Sequence, residues 1–232
     1  MLDYADLLEL VKKRRSIRKF KPDMVPDEMV NKILDAARWA PSGANHQPWE
    51  FIVIKDKVVK DKISAILLDV LRNNQKLEST REKDLQHPAS SVPVEKLGFK
   101  DAPVFIIAVG DPRTRQAQVL AAQQEQNSYV SSMSNAFIYM HLAATSLGLG
   151  SQWLSTSHQY LAQALIKQSL GIPRGYDLYD MFVLGYPDQS PRPRKVRDLG
   201  EIVHRDHYDM SKYRSDEQVK NFARDIQMAR KP

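Results

Sequence analysis

The strongest constraint in this sequence lies between Arg115 and Leu147, where the pattern allows one long helix, continuous or interrupted. Its second half is apolar nearly all round. Ala136, Phe137, Met140, Ala143, Ala144 and Leu147 would have to be buried on more than one face, which a lone small domain supplies poorly and a dimer supplies easily. A chain of 232 residues with 42% apolar and 27% charged side chains can still build its own core, and its length suits one domain, residues 1–232. Cysteine is absent from the sequence, which excludes thiolate catalysis, Cys-zinc sites, iron–sulfur clusters and disulfides by inventory. No window approaches eighteen uninterrupted apolar residues. The start, Met1-Leu2-Asp3-Tyr4, runs into an acid-containing amphipathic stretch, so the expectation is a cytoplasmic protein with no membrane association.

The remaining pattern is mixed α and β. Leu7, Leu8 and Val11 lie on one side of a short helix, and Pro26-Asp27-Glu28 starts a second that Pro41 stops. Trp49 to Ile54 reads as a buried strand, followed by a helix from about Val58 to Leu71. The polar segment from Arg72 to Phe99 holds Pro88 and Pro93 without sustained periodicity, and reads as a mobile cover or irregular excursion. Val104 to Val109, Ser151 to Leu154 and Met181 to Gly185 read as further strands, and a helix is expected from about Gln159 to Leu170. A tract rich in proline and arginine from Tyr186 to Asp198 leads to a tail. There Val219, Phe222, Ala223 and Ile226 form one apolar stripe on a last helix.

The formal charge of +6 favours anionic ligands, and its placement narrows the choice. Seven of the ten residues from Lys12 to Lys21 are Lys or Arg, and Arg192, Arg194, Lys195 and Arg197 form a second cluster. Such a run is often a solvated cationic face. Ser16, Ile17 and Phe20 interrupt the first run, which therefore reads as folded and side-chain-specific, and no nucleic-acid-binding signature accompanies it. Arg14, Arg15, Ser16 and Arg18 instead offer guanidinium forks and a hydroxyl to phosphoryl oxygens. The loop Pro41 to Pro48 supplies a hydroxyl and two carboxamides suited to a planar ligand's polar edge, or else it is an ordinary turn. Leu147-Gly-Leu-Gly150 ends the apolar helix and opens a strand, with glycine serving first as a helix C-cap.

In this order and spacing these segments resemble the FMN-dependent nitroreductase family. Arg14-Arg-Ser-Ile-Arg18 is similar to its R-R-S-x-R motif. Ala40-Pro-Ser-Gly-Ala44 through Gln47-Pro-Trp49 is similar to its A-P-S-x-x-x-x-Q-P-W segment. Leu147 to Gly150 resembles its L-G-L-G turn, and Leu184-Gly-Tyr-Pro187 its closing L-G-Y-P. The resemblance spans roughly residues 7 to 204, and the Ala-Pro-Ser-Gly form also resembles the iodotyrosine deiodinase branch. A lid trio of Glu, Tyr and Lys, which that branch uses, does not align within residues 72–99.

The resemblance implies an α+β fold with a central, mainly antiparallel sheet wrapped by helices, assembled as an intertwined homodimer with FMN at the interface. Residues 205–232 would be a C-terminal extension packing on the partner subunit. Carried over residue by residue, Arg14, Arg15 and Ser16 would contact phosphate and ribityl, and Arg18 the flavin N1 and O2 edge. Pro41, Ser42, Gly43, Asn45 and Gln47 would contact flavin from the loop, some of them from the other subunit, and Gly150 and Ser151 would lie near the ring. A closing basic pair, Lys195 and Arg197 or else Arg194 and Lys195, would meet the phosphate. Ile138-Tyr139 stands where many members carry Gln-Asn.

The implied activity is an FMN-dependent oxidoreductase that takes hydride from NADH or NADPH and serves a small, electron-poor acceptor such as a nitroarene or quinone. Reductive dehalogenation or alkene reduction on the same flavin is the rival chemistry, and a non-catalytic flavin- or nucleic-acid-binding regulator is the rival class. No catalytic acid or base stands out, and none is expected where the flavin carries the hydride and the protein positions rings and supplies electrostatics. His204 and His207 lack an acidic pair and are not expected to hold metal, while His46 reads as a loop hydrogen-bonder and His141 as a satisfied core or interface residue.

Overall fold

A computed structural model describes residues 3–83, 86, 92–117, 125–191 and 194–228. The chain forms two compact units, Met1–Asn74 with Pro93–Pro191, and Gln75–Val92 with Arg192–Pro232.

The first unit is built on four strands, β1 (Trp49–Ile54), β2 (Val104–Gly110), β3 (Gly150–Leu154) and β4 (Asp177–Gly185), in the order β1-β2-β4-β3 with every neighbour antiparallel. β2 is buried along its whole length, as its unbroken apolar run requires of a central strand covered on both faces. Its side chains alternate. Val104, Ile106 and Ala108 join one core cluster, while Phe105, Ile107 and Val109 join the other.

The first cluster packs under α2 (Asp27–Arg38) and α4 (Glu125–Ser146), through Val30, Ile33, Ala37, Met133, Phe137 and Met140. The second packs under α3 (Lys57–Ser79) and α5 (Tyr160–Leu170), through Ile63, Leu67, Val70, Ala162 and Ile166. The result is the antiparallel sheet wrapped by helices that the motifs imply.

Four expectations change. β1, expected as a buried strand, lies at the sheet edge, with only Trp49 and Ile54 buried. The helix after β1 continues to Ser79, beyond the expected Leu71, so part of the segment read as irregular is helical. Asn73 is exposed there, while Asn74 and Gln75 are half-buried. Short 3₁₀ turns at Val94–Lys96 and Gly98–Asp101 lead into β2, and Val94 and Phe99 are buried. Residues 84, 85 and 87–91 lie outside the described residues.

Of the helix expected from Arg115 to Leu147, α4 forms the second half, a 3₁₀ segment stands at Pro112–Ala117, residues 118–124 lie outside the described residues, and the most apolar positions of α4 find cover within one chain. Ala136, Phe137, Met140 and Ala144 are fully buried and Ala143 and Leu147 partly so, because sheet and α2 flank them. What stays exposed on α4 is a different set, Val130, Ile138 and Tyr139. β4 starts at Asp177, four residues earlier than expected, with a register shift opposite Ala108 and Val109 that admits Tyr179 as an extra residue.

In the second unit, α6 (Leu199–Ile202) and a 3₁₀ turn at Met210–Lys212 precede α7 (Asp216–Met228). The stripe on α7 does not enter a core: Val219 is exposed, and the Phe222 ring lies between Arg214 and Lys195 at 5.4 and 5.8 Å. His204 and His207 fall after α6, in non-helical chain, and the described residues contain no group of three or more potential metal ligands. No helix among the described residues is long and apolar enough to cross a membrane.

Candidate active site

The basic run begins where α1 (Tyr4–Lys13) ends, with Lys12 and Lys13 in the last turn, where a helix favours cations. Arg14 caps that helix, its N–H donating to Leu10 O at 3.0 Å. The chain beyond it then runs extended along the free edge of β3. Ser16 bridges Ser151 in parallel, and the Ile17 N–H donates to Ser151 O at 2.9 Å. Farther on, the Lys21 N–H donates to Tyr186 O and the Asp188 N–H to Lys19 O, both at 2.9 Å. The Arg18 N–H donates to Gln189 Oε1 at 3.0 Å, while the Arg18 side chain is exposed. Three segments distant in sequence, Arg14–Arg18, Leu147–Ser151 and Leu184–Pro187, thus meet at one sheet edge.

Glycine is required there by close approach. A Cβ on Gly150 would lie 2.8 Å from the Ile17 side chain, and one on Gly185 would lie 2.6 Å from Pro103 and 3.0 Å from Phe20. Gly148 is the C-cap, with φ of 74°, and the Leu149 N–H reaching back to Ala144 O completes the turn.

Beneath this edge sits His141, which the sequence marks as a satisfied core or interface residue. Its Nδ1 lies 2.7 Å from Ser151 Oγ, and its ring packs against Phe182 and Trp153 at 4.7 and 6.1 Å. Burial, reinforced by the nearby Arg14 charge, pushes the imidazole down to about 3. It is therefore neutral at any physiological pH and adds no charge beside Arg14. The Ser151 hydroxyl is engaged by His141 and buried, and the backbone of Ser151 carries the contact with the basic segment.

The loop from Pro41 to Pro48 is held to α4 and to its own atoms. The Gly43 N–H donates to Ser132 Oγ at 3.1 Å, and Asn135 Nδ2 donates to Pro41 O at 2.9 Å. A Cβ on Gly43 would collide with Ser128 Oγ. Ala44, Asn45 and Gln47 all have φ between 47° and 56°, the left-handed region that non-glycine residues rarely occupy. The Gln47 N–H donates to Ser42 Oγ at 3.0 Å, and Gln47 Nε2 donates to Asn45 O at 3.3 Å. Strain of this kind, held in place by a framework of hydrogen bonds, concentrates at ligand sites.

Loop and basic segment are anchored at different heights on α4. Ser132, which holds the loop, and His141, which holds Ser151, are nine residues apart, about 14 Å at 1.5 Å per residue. In the second unit, Lys195 pairs with Asp225 at 3.2 Å, and Arg197 donates to the Glu201 carboxylate at 3.2 Å and to Glu201 O at 3.0 Å. Arg194 is exposed, and Arg192 lies outside the described residues.

Comparison with known proteins agrees with the motifs. Residues 11–186 match the nitroreductase family. A Methanothermobacter thermautotrophicus protein with the provisional name NADH dehydrogenase/NAD(P)H nitroreductase is 31% identical over 197 residues, 85% of each chain. Rat iodotyrosine deiodinase 1 is 45% identical over a shorter stretch of 62 residues, 27% of this chain and 22% of that protein. The crystal structure of an FMN-bound nitroreductase from Desulfitobacterium hafniense DCB-2 superposes with a TM-score of 0.66 at 27% identity, covering 88% of this chain and 99% of that one. Matched over most of its length by the family, and 31% identical to a relative across 85% of each chain, the chain belongs to the nitroreductase family.

Proposed function

We propose that this protein is a homodimeric FMN-dependent oxidoreductase that accepts hydride from NADH or NADPH and reduces a small, flat, electron-poor acceptor such as a nitroarene or quinone. The observation that carries the reading is the Ser16–Ser151 bridge, which joins the basic segment to the glycine turn at one edge. The donor set suits the cofactor. Arg14, Arg15 and Ser16 offer guanidinium and hydroxyl donors to a phosphate, and the neutral His141 leaves their field uncancelled and unrepelled. Ser42, whose oxygen accepts the Gln47 N–H, keeps its own proton for a ligand. FMN bound there would supply the hydride chemistry. Arg18 would bring a cation to the flavin's N1 and O2 edge, where it would favour negative charge. Pro41, Asn45 and Gln47 orient the ring through the loop.

The 14 Å offset along α4 supports a site completed by the loop of a second copy. So does the exposed apolar surface of Tyr4, Leu7 and Val11 on α1, together with Val130, Ile138 and Tyr139 on α4. Subunit complementation tests this. A Gly43→Val variant and an Arg14→Ala/Ser16→Ala variant, each with an emptied site, are unfolded together and refolded. Mixed dimers then hold one intact site each, so FMN binding returns to about a quarter of wild type. No recovery would mean that each site comes from one chain.

Reductive dehalogenation on the same cofactor is a second reading, favoured by the 62-residue match to iodotyrosine deiodinase. Anaerobic turnover with a nitroarene, a quinone and 3-iodotyrosine, compared under one reductant, separates the two.

A further inference from the structure

The loop between Pro41 and Pro48 is strained where its packing does not explain the strain. Ala44 and Gln47 both have φ of 47°, in the left-handed region that raises the free energy of an ordinary L residue, while Asn45 between them, at 56°, tolerates it. All three side chains are exposed, so no buried contact offsets the cost. The Asn45 N–H donates to Ser42 O and the His46 N–H to Gly43 O, each at 3.0 Å, but hydrogen bonds that exchange with water contribute little net free energy.

The anchors lie outside the loop. Ser132 of α4, 3% exposed, donates Oγ to Ser128 O at 2.7 Å and accepts the Gly43 N–H at 3.1 Å. Nearly one turn on, Asn135 Nδ2 donates to Pro41 O at 2.9 Å. Ser128, Ser132 and Asn135 are spaced four and three residues apart and so share one face of the helix. Ser128 Oγ fills the space that a Gly43 Cβ would need, so the loop backbone settles directly against that face. At the far end the Asp111 N–H, just past β2, donates to Pro48 O at 2.8 Å. With both ends fixed, residues 44–47 must turn sharply between them, and left-handed backbone is the result.

We propose that Ser132 and Asn135 are positioning residues: from α4 they clamp the loop in a strained shape that presents Ser42, Asn45 and Gln47 ready-made to a planar ligand. That this ligand is FMN rests on the oxidoreductase reading above; the clamp itself does not. A loop held in its bound shape beforehand spares the ligand the cost of ordering it.

The test has two arms, both on the full-length protein. In the first, Ala44→Gly is made in wild type and in a Ser132→Ala/Asn135→Ala variant, and urea unfolding is followed by tryptophan fluorescence. Glycine enters the left-handed region without steric cost, so the urea midpoint should rise in wild type. It should not rise in the unclamped variant, whose loop has already relaxed. Equal gains in both backgrounds, or a gain in neither, would overturn the clamp. In the second arm, FMN is titrated by fluorescence. Ser132→Ala and Asn135→Ala should each weaken its binding at least tenfold, as expected of a loop that holds its competent shape a tenth of the time, with the urea midpoint near that of wild type because released strain offsets the lost bond. A midpoint that falls in step with affinity would make both residues merely structural and overturn the proposal. FMN binding that both variants retain in full would also overturn it and leave the oxidoreductase reading standing. A clamp seen in the first arm, in a protein that binds no FMN, would uphold the clamp and sink that reading.

Discussion

Replacing Asp180 with asparagine should remove a pH dependence of stability that this fold builds in. Asp180 lies on β4 beside the Tyr179 bulge and is 7% exposed. One carboxylate oxygen accepts the Trp153 Nε1–H at 2.6 Å, and the other, Oδ1, has no hydrogen-bond partner. Burial pushes the carboxyl up to about 6, with the Trp153 hydrogen bond, the nearby His158 and the Ser157 hydroxyl pulling the other way. An unfolded aspartate titrates near 3.9, so the fold holds this proton over about two decades of pH, worth about 3 kcal/mol at 1.36 kcal/mol per decade. Because the folded value is raised, the stabilisation is complete below about pH 4 and lost as pH rises through about 6. Above that, the wild type carries an ionised, half-satisfied carboxylate.

Asparagine cannot titrate, so whatever fixed cost its amide brings is the same at every pH. The stability of Asp180→Asn minus that of wild type should therefore rise by about 2–3 kcal/mol between pH 4 and pH 7.5. Urea unfolding followed by tryptophan fluorescence at several pH values measures that difference directly. Curves that stay parallel across the range would refute the assignment of a raised, buried carboxyl at this position.

Gly150→Ala forces Ile17 to move, since the new Cβ lies 2.8 Å from it; the expected cost is about 1–3 kcal/mol of stability with a parallel loss of bound flavin, checked by denaturant melts and absorbance. Arg14→Ala with Ser16→Ala removes charge-assisted phosphate donors at about 1.5–3 kcal/mol per bond, so flavin should be lost on dilution while the fold persists, as gel filtration with flavin absorbance would register. Arg18→Ala should leave the phosphate end anchored but lower the flavin midpoint potential by about 20–60 mV, read against redox dyes; an unchanged potential at full occupancy would place Arg18 away from the ring.

Where burial is continuous the sequence was easily read. Val104 to Val109 announces a central strand because nothing polar interrupts it, whereas β1 is legible from its aromatic and β-branched residues although it lies at the sheet edge. The start of β4 was not legible. Asp177 and Asp180 resemble a turn, and only the Trp153 hydrogen bond and the bulge make Asp180 acceptable inside a strand. The end of α3 was hidden likewise, since polar turns carry no periodic signal.

The site divides in the same way. The basic segment, the loop and the glycine turns were visible as motifs. The pairing of Ser16 with Ser151 is non-local and leaves no trace in either stretch alone. The left-handed conformations of Ala44 and Gln47 run against residue preference, so they arise from the anchoring on α4 rather than from local sequence, whereas Asn45 tolerates that region. His141 was readable as buried but not as the partner of Ser151. The burial of Ala136, Phe137, Met140 and Ala144 within one chain shows why an all-round apolar helix does not by itself demand a second subunit: sheet and α2 already flank it.

The central claim is that this chain carries FMN and turns it over with a pyridine nucleotide. The visible spectrum of the purified protein, recorded before and after anaerobic addition of NADH or NADPH, tests it most directly. The account predicts a yellow protein with flavin absorbance near equal stoichiometry per chain, bleaching on addition of the nucleotide and recovering when a nitroarene or quinone is supplied. A protein that stays colourless when refolded with FMN, or one whose flavin stays oxidised in excess nucleotide, would contradict it.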